Sequence, residues 1–278
     1  MINKPSTAYL VFRAVALGLW LVITLFPMYW ILVSSLKDPG AIASYPLRYL
    51  PDPVSFQNYQ GLFERAQFGT YLLNSLLVAV LSAVVATAIA MLSGYVLARF
   101  EFRSKSAVLV AFLVTQMIPG FIALGPLYQL MVRFGLVDSR AGLALVYVAM
   151  CIPFSSVMLR GFFDNVPEAL EEAAMVDGLS RFGALFRVIV PVMTPGIIAT
   201  FIFNFVNCWN ELFLSVLLIN TDERKTVPTA LNGFISSFNI EWGPMSAAAV
   251  LTILPTMLMF ALASRYIVAG LTSGAVKG

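Results

Sequence analysis

A bilayer core about 30 Å thick takes roughly twenty apolar residues per helical crossing. Six stretches of this sequence approach or exceed that length, at 14–36, 66–98, 106–132, 141–159, 188–210 and 242–264, and none of them contains Asp, Glu, Lys or Arg. No soluble core tolerates so much uncharged chain. Hydrophobic residues make up 60% of the 278 and charged residues 11%, well under the roughly 25% charged usage of soluble domains. The sequence therefore predicts an all-α membrane protein with six transmembrane helices. Lys4 and Arg13 precede the first run as they would in a secretory signal. That run is too long and lacks a small-residue cleavage site, so it predicts a retained anchor.

Lys and Arg set the orientation. With a cytoplasmic N-terminus, that side collects Lys4, Arg13, Arg99, Arg103, Lys105, Arg160, Arg181, Arg187, Arg265 and Lys277, ten of the 17 basic residues. Three of these crowd the turn at 99–105, beside span ends where the positive-inside bias acts most strongly. Both termini and the loop between spans four and five are then expected in the cytoplasm. The opposite side receives the segment 37–67, where Pro39, Pro46, Pro51 and Pro53 predict irregular structure, and the loop 220–241. Within the third run, Pro119 follows Gln116, Met117 and Ile118, and a proline there predicts a kink or break.

The loop between spans four and five is the densest cluster of charge in the chain. Pro167 suits a first helical turn and Gly178 a left-handed closing residue, framing a helix of about three turns. Three- and four-residue spacing groups Glu168, Glu171, Glu172 and Met175 on one face, with Ala169, Leu170, Ala173 and Val176 opposite. Phe182, Leu185, Phe186 and Ile189 then repeat at i, i+3, i+4 and i+7, predicting a second amphipathic segment that ends at Pro191. The expected element is a helical hairpin over 166–191.

At these residues the sequence resembles the integral membrane permeases of ATP-binding-cassette importers. The family pattern of Glu-Ala-Ala, three residues, Gly, nine residues, aliphatic, spacer, aliphatic and Pro falls on Glu172, Ala173, Ala174, Gly178, Val188, Val190 and Pro191. Trp209-Asn210-Glu211, Pro228, Trp242-Gly243 and the tail from Gly270 to Gly278 further resemble the maltose-type carbohydrate branch, and its second, shorter permease in particular. The resemblance implies a type I importer permease fold in a prokaryotic cytoplasmic membrane. It also implies a sister permease, a dimer of ATPase subunits that binds ATP and Mg, and an extracytoplasmic solute-binding protein. In that family the hairpin is a coupling helix seated in the ATPase, so Glu168, Glu171, Glu172, Ala173, Ala174, Met175 and Gly178 become the expected docking residues. The tail residues Gly270, Thr272, Gly274 and Lys277 are expected to touch the same ATPase. The implied organisation is an N-terminal anchor and outer segment at 1–65, a permease core at 66–268 and a cytoplasmic tail at 269–278.

Span five carries polar groups that are costly in lipid, namely Asn204, Asn207, Asn210 and Glu211. Asn204, Asn207 and Glu211 recur at i, i+3 and i+7. Such groups normally face protein or a water-filled path, which gives two readings: a lining for a polar solute, or hydrogen bonds that join helices. Cys151 and Cys208 lie in separate apolar runs, far apart in sequence, which argues against a disulfide framework or a metal site. They are expected to be reduced packing residues.

Other chemistry is poorly supported. Histidine is absent, and Ser34-x-x-Lys37 lacks the companion motifs of an acyl enzyme. No phosphate-cradling glycine loop followed by Lys and Ser or Thr occurs, so the chain is not expected to be an enzyme. The small net charge of +3, with no basic run, gives no nucleic-acid footprint. The expectation is a permease subunit that imports a sugar or sugar derivative by alternating access, driven by a partner ATPase. The alternative is a self-sufficient secondary transporter or channel, for which only Glu211 offers an ionisable group within a span.

Overall fold

The computed structural model describes residues 6–64, 67–235 and 240–275, with side chains as far as Leu262 and at Ser264. The order is α1 (Thr7–Ser35), α2 (Gln57–Glu64), α3 (Phe68–Arg99), α4 (Lys105–Met117), α5 (Gly120–Arg133), α6 (Arg140–Asp164), α7 (Glu168–Val176), α8 (Arg181–Ala184), α9 (Val190–Trp209), α10 (Phe213–Leu218), α11 (Val227–Gly233) and α12 (Trp242–Ala275). Single 3₁₀ turns lie at Pro39–Ala41 and Asp222–Arg224, and a π turn at Leu185–Ile189 joins α8 to α9.

Five helical stretches are long and apolar enough to cross a membrane: Thr7–Ser35, Phe68–Arg99, Arg140–Asp164, Arg181–Trp209 and Trp242–Leu262. The pair α4 and α5 meets the same test jointly but bends by 102°, so counting it as one crossing gives the expected six. The bend follows from Pro119. A proline disfavours helical geometry in the residue before it, and Ile118 is extended with ψ of 119° while Pro119 itself has ψ of 123°. The third run is thus two half-helices at nearly a right angle. Span five begins earlier than expected, at Arg181, because the π turn lets the hairpin's second arm run unbroken into α9.

The chain divides into two compact units, residues 1–68 with 231–254, and 69–230 with 255–278. The segment 231–254, expected in the permease core, thus groups with the N-terminal part. In the first unit Asn58 is buried, and its Nδ2 donates to the carbonyls of Ser35 at 3.1 Å and Lys37 at 2.7 Å, satisfying the end of α1. A Cβ on Gly243 would come within 2.2 Å of Asn58 Oδ1, so only glycine lets α12 approach there. Lys37 is buried with its Nζ 4.4 Å over the Trp30 ring and donates to the Arg48 carbonyl. Burial lowers its pKa.

The second unit packs α3, α6 and α9 through small and hydroxylated residues, as helices do where hydrophobicity cannot drive association in lipid. Ala79, Ala83, Ala86 and Ala90 form a buried stripe along α3. Gly94 continues it, with room for a Cβ only 3.0 Å from the Arg160 backbone nitrogen of α6. Ser82 donates to the Ala144 carbonyl at 3.3 Å, and Ser93 pairs with Ser156. Beyond α9, Leu214 and Leu218 of α10 join Tyr147, Phe205 and Trp209 in one core cluster. Tyr95, Leu159, Phe163, Leu185 and Ile189 form a second, beneath the hairpin.

Candidate functional sites: a braced hairpin and a polar cleft

The first arm of the hairpin is α7, with Pro167 at its N-cap. Its end is a Schellman motif: Leu179 N–H donates to the Ala174 carbonyl and Gly178 N–H to the Met175 carbonyl, both at 3.1 Å. Gly178 has φ of +93°, the left-handed conformation that a side chain disfavours.

The faces of α7 depart from the expected grouping. Glu171 and Ala174 are buried, whereas Glu172 and Val176 are exposed, Val176 by 87%. Glu171 therefore points into its own chain and is not available as a docking residue. Its Oε1 accepts from the Tyr95 hydroxyl, its Oε2 lies 3.4 Å from Arg99 Nε, and Arg181 Nε stands 3.7 Å from Oε1. Arg99 also donates to the Val166 carbonyl at 2.7 Å and sits 3.8 Å from Glu168. Arg181 covers the Phe100 ring at 5.0 Å. Three side chains from two elements, α3 and α8, thereby clamp one carboxylate. The face of Ala169, Leu170, Ala173 and Val176, which amphipathicity assigns to the protein interior, is uncovered, and Glu172 has no ion pair or side-chain hydrogen bond among the described residues. Ala173 is exposed beside it, and Met175 is half-buried.

The second arm is also re-phased. Leu185 and Ile189 are buried while Phe182, in α8 ahead of the π turn, is 71% and Phe186, within it, 50% exposed. The bare apolar side of α7 and these two phenylalanines are features of one short loop. The tail candidates Gly270, Thr272 and Gly274 fall where only the backbone of α12 is described, and Lys277 lies outside the described residues.

The four polar residues of span five separate in three directions. Asn204 is fully buried; its Oδ1 accepts from Ser155 at 2.7 Å and its Nδ2 donates to Thr87 at 3.0 Å. It therefore joins α3, α6 and α9 and lines no path. Asn210 is exposed and donates to the Val206 carbonyl at 3.0 Å, away from the cleft lining. Asn207 and Glu211 do border a cleft of about 190 Å³, with Gln116, Tyr147, Met150, Cys151, Phe154, Phe203 and Cys208. Phe154 and Phe203 stack there, 4.5 Å between centroids. Glu211 also holds structure together. Its carboxylate accepts from Leu214 N–H at 3.0 Å, Ser215 N–H at 3.2 Å and the Tyr147 hydroxyl at 3.0 Å, capping α10 as an acidic residue caps a helix start.

Sequence reasoning missed Tyr95, Arg99 and Arg181 as the brace, although Arg99 and Arg181 already stood out for orientation. It also missed Gln116, Tyr147, Phe154 and Phe203; Gln116 alone carried a signal, three residues before the break at Pro119. Across the loops from the cleft residues, Asp138 accepts from the backbone of Asn220 and Thr221 at 3.0 and 2.9 Å and pairs with Arg224 at 3.0 Å. The Thr221 hydroxyl, then the Thr221 and Asn220 amides, hold its carboxyl down at about 2. Among the described residues no group of three or more His, Cys, Asp or Glu is placed to hold a metal ion.

Apolar spans with a broken third crossing and a braced loop hairpin define a multi-pass membrane protein. Residues 86–271 match the family described as binding-protein-dependent transport system inner membrane component, and the chain belongs to that family. It is 34% identical over 278 residues to the Escherichia coli (strain K12) inner membrane ABC transporter permease protein YcjP, covering 99% of each chain. It is 38% identical over 262 residues to the diacetylchitobiose uptake system permease protein NgcG of Streptomyces coelicolor (strain ATCC BAA-471 / A3(2) / M145), covering 93% of this chain and 86% of that one. It is 35% identical over 256 residues to the trehalose transport system permease protein SugB of Mycobacterium tuberculosis (strain CDC 1551 / Oshkosh), covering 91% and 93%. Among solved structures, a bacterial ABC transporter involved in the import of the acidic polysaccharide alginate matches with a TM-score of 0.84 at 20% identity, over 95% of this chain and 99% of that one. The fold is that of an ABC importer permease.

Proposed function

We propose that this chain is one permease subunit of an ATP-driven importer for a sugar or sugar derivative. The single observation that carries the reading is the hairpin: anchored through Glu171 to Arg99, Arg181 and Tyr95, yet bare at Glu172, Leu170, Val176 and Phe182. A loop built stiffly and left with an uncovered apolar side suits a partner that pushes on it. That partner is an ATPase subunit dimer, which binds ATP and Mg and performs the hydrolysis; this chain does none. Both termini and the hairpin then face the cytoplasm, and a sister permease completes the pathway. An extracytoplasmic binding protein delivers the solute, in keeping with the uptake systems named for the relatives. Asn207, Glu211, Gln116 and the stacked Phe154 and Phe203 suit a sugar in the cleft, with amide and carboxylate for hydroxyls and rings for the apolar faces of the solute.

Copurification tests this. Tagged chain solubilised from its native membranes should bring with it a second permease and an ATPase whose hydrolysis rises when carbohydrate-loaded binding protein is added. Recovery of the chain without any ATPase, together with solute uptake driven only by an ion gradient, would replace the importer by a secondary transporter.

A further inference from the structure

Cys151 on α6 and Cys208 on α9 are 57 positions apart in sequence, yet their sulfurs lie 3.7 Å apart. They are the two cysteines of the chain, and both border the cleft. Cys208 is buried, while Cys151 is only partly buried. Sulfurs at this distance face one another, and a disulfide of about 2.05 Å requires them to close by only about 1.7 Å. Both thiols are free and packed in one core cluster, as expected of reduced packing residues, and their meeting there also sets a partly accessible thiol in front of a buried one able to resolve it.

We propose that Cys151 and Cys208 are an oxidation site that closes to a disulfide and staples α6 to α9 across the wall of the cleft. The oxidant is a hydroperoxide small enough to enter the cleft. The Cys151 sulfur, giving up its proton, attacks the peroxide O–O bond; for hydrogen peroxide this yields a sulfenic acid and one water. The Cys208 thiol then attacks that sulfur, an S–S bond forms, and the sulfenic hydroxyl leaves with the Cys208 proton as a second water. The two cysteines lose two electrons and two protons, and the peroxide is reduced to two waters. A thiol reductant reverses the bond.

The consequence for the cleft follows from the neighbours. Cys208 adjoins Asn207 and precedes Glu211 by three residues, while Tyr147 and Phe154 lie one turn to either side of Cys151. A bond here fixes the helical faces that carry the cleft's polar and aromatic groups. This consequence rests on the proposed importer function: if alternating access moves these faces against one another, oxidation lowers transport.

The assembled complex in membranes, treated with hydrogen peroxide, decides whether the bond forms without reference to the identity of the solute. The expected result is loss of both maleimide-reactive thiols, a chain mass lower by two hydrogens, and a peptide joining 151 to 208 within one chain, all reversed by dithiothreitol. Uptake should fall and recover with the same reductant, which does not repair methionine sulfoxide. Cys208→Ser should keep or singly oxidise Cys151, yield no joined peptide, and show the same uptake with and without peroxide. Oxygen adducts on separate cysteines with no joined peptide, a link between two chains, or equal inhibition of wild type and Cys208→Ser would overturn the proposal.

Discussion

The hairpin and the cleft are each organised around a glutamate, and the two carboxylates are held by opposite means. Glu171 is buried against two guanidinium groups and a phenol, so two of its partners are full charges, and one of them, Arg99, is itself buried. Glu211 is held by backbone amides at the start of α10 and by the Tyr147 hydroxyl, all neutral dipoles. The first arrangement fixes a loop; the second leaves the charge half-exposed at the edge of a cleft. Charge pairing thus braces the hairpin, and a carboxylate held by neutral dipoles borders the cleft.

The largest effect should come from breaking the charge pairing. Glu171→Ala leaves Arg99 buried with only the exposed Glu168 at 3.8 Å and the Val166 carbonyl to face, and breaking a buried pair costs about 3–5 kcal/mol. Thermal unfolding of the detergent-solubilised chain should show a clear drop in midpoint. An unchanged midpoint would mean that the hairpin is not held as described. Next in size is Asn204→Leu, which removes the bridge among α3, α6 and α9 and leaves the hydroxyls of Ser155 and Thr87 to find other partners. At about 1–3 kcal/mol per orphaned buried group, stability should fall with solute preference intact. Asn207→Leu should do the reverse, shifting solute affinity or selectivity while the amount of assembled complex holds. A swap of those two outcomes would reverse the roles given to Asn204 and Asn207.

Glu211→Gln should be milder than Glu171→Ala, because a Gln Oε1 still accepts from the α10 amides and only the charge at the helix start is lost, about 0.3–1 kcal/mol. A destabilisation as large as that of Glu171→Ala would erase the contrast between the two sites. The smallest change belongs to Asp138. Its folded pKa, held at about 2, lies below the ordinary carboxylate value of about 3.9. Its contribution is therefore full above that value and fades as pH falls through the folded pKa. Asp138→Asn tolerates the positive φ of 55° at this position and should flatten the acid limb of the stability curve slightly, with near-neutral stability almost unchanged.

What the sequence made legible was local. The apolar runs, the break at Pro119 and the turn at Gly178 each depend on a few consecutive residues, and each has its physical cause in the chain itself. The faces of α7 were misread because helical periodicity ranks residues by polarity alone, while Tyr95, Arg99 and Arg181 supply from elsewhere the charges that draw Glu171 inward. Phe182 and Phe186 read as core by their spacing, yet both are exposed, and the π turn that begins at Leu185 is one that no spacing rule announces. Asn204 and Asn207 lie on the same helix within one turn; only the neighbouring α3 and α6 decide that one is interior and the other borders the cleft. Cys151 and Cys208 meet for the same reason, through the packing of α6 on α9.

The adjacent pair Glu171 and Glu172 permits the most direct measurement: ATPase recovered per permease after Glu172→Ala, in complexes purified from membranes. Glu172 is exposed and has no ion pair or side-chain hydrogen bond among the described residues, so the permease should remain in the membrane at normal level and stability. If Glu172 pairs with a basic residue in the ATPase cleft, truncation weakens docking by about 2–5 kcal/mol. The expected result is full permease with the ATPase largely lost and transport abolished. Full retention of the ATPase with normal transport would contradict the assignment of this hairpin as the coupling element.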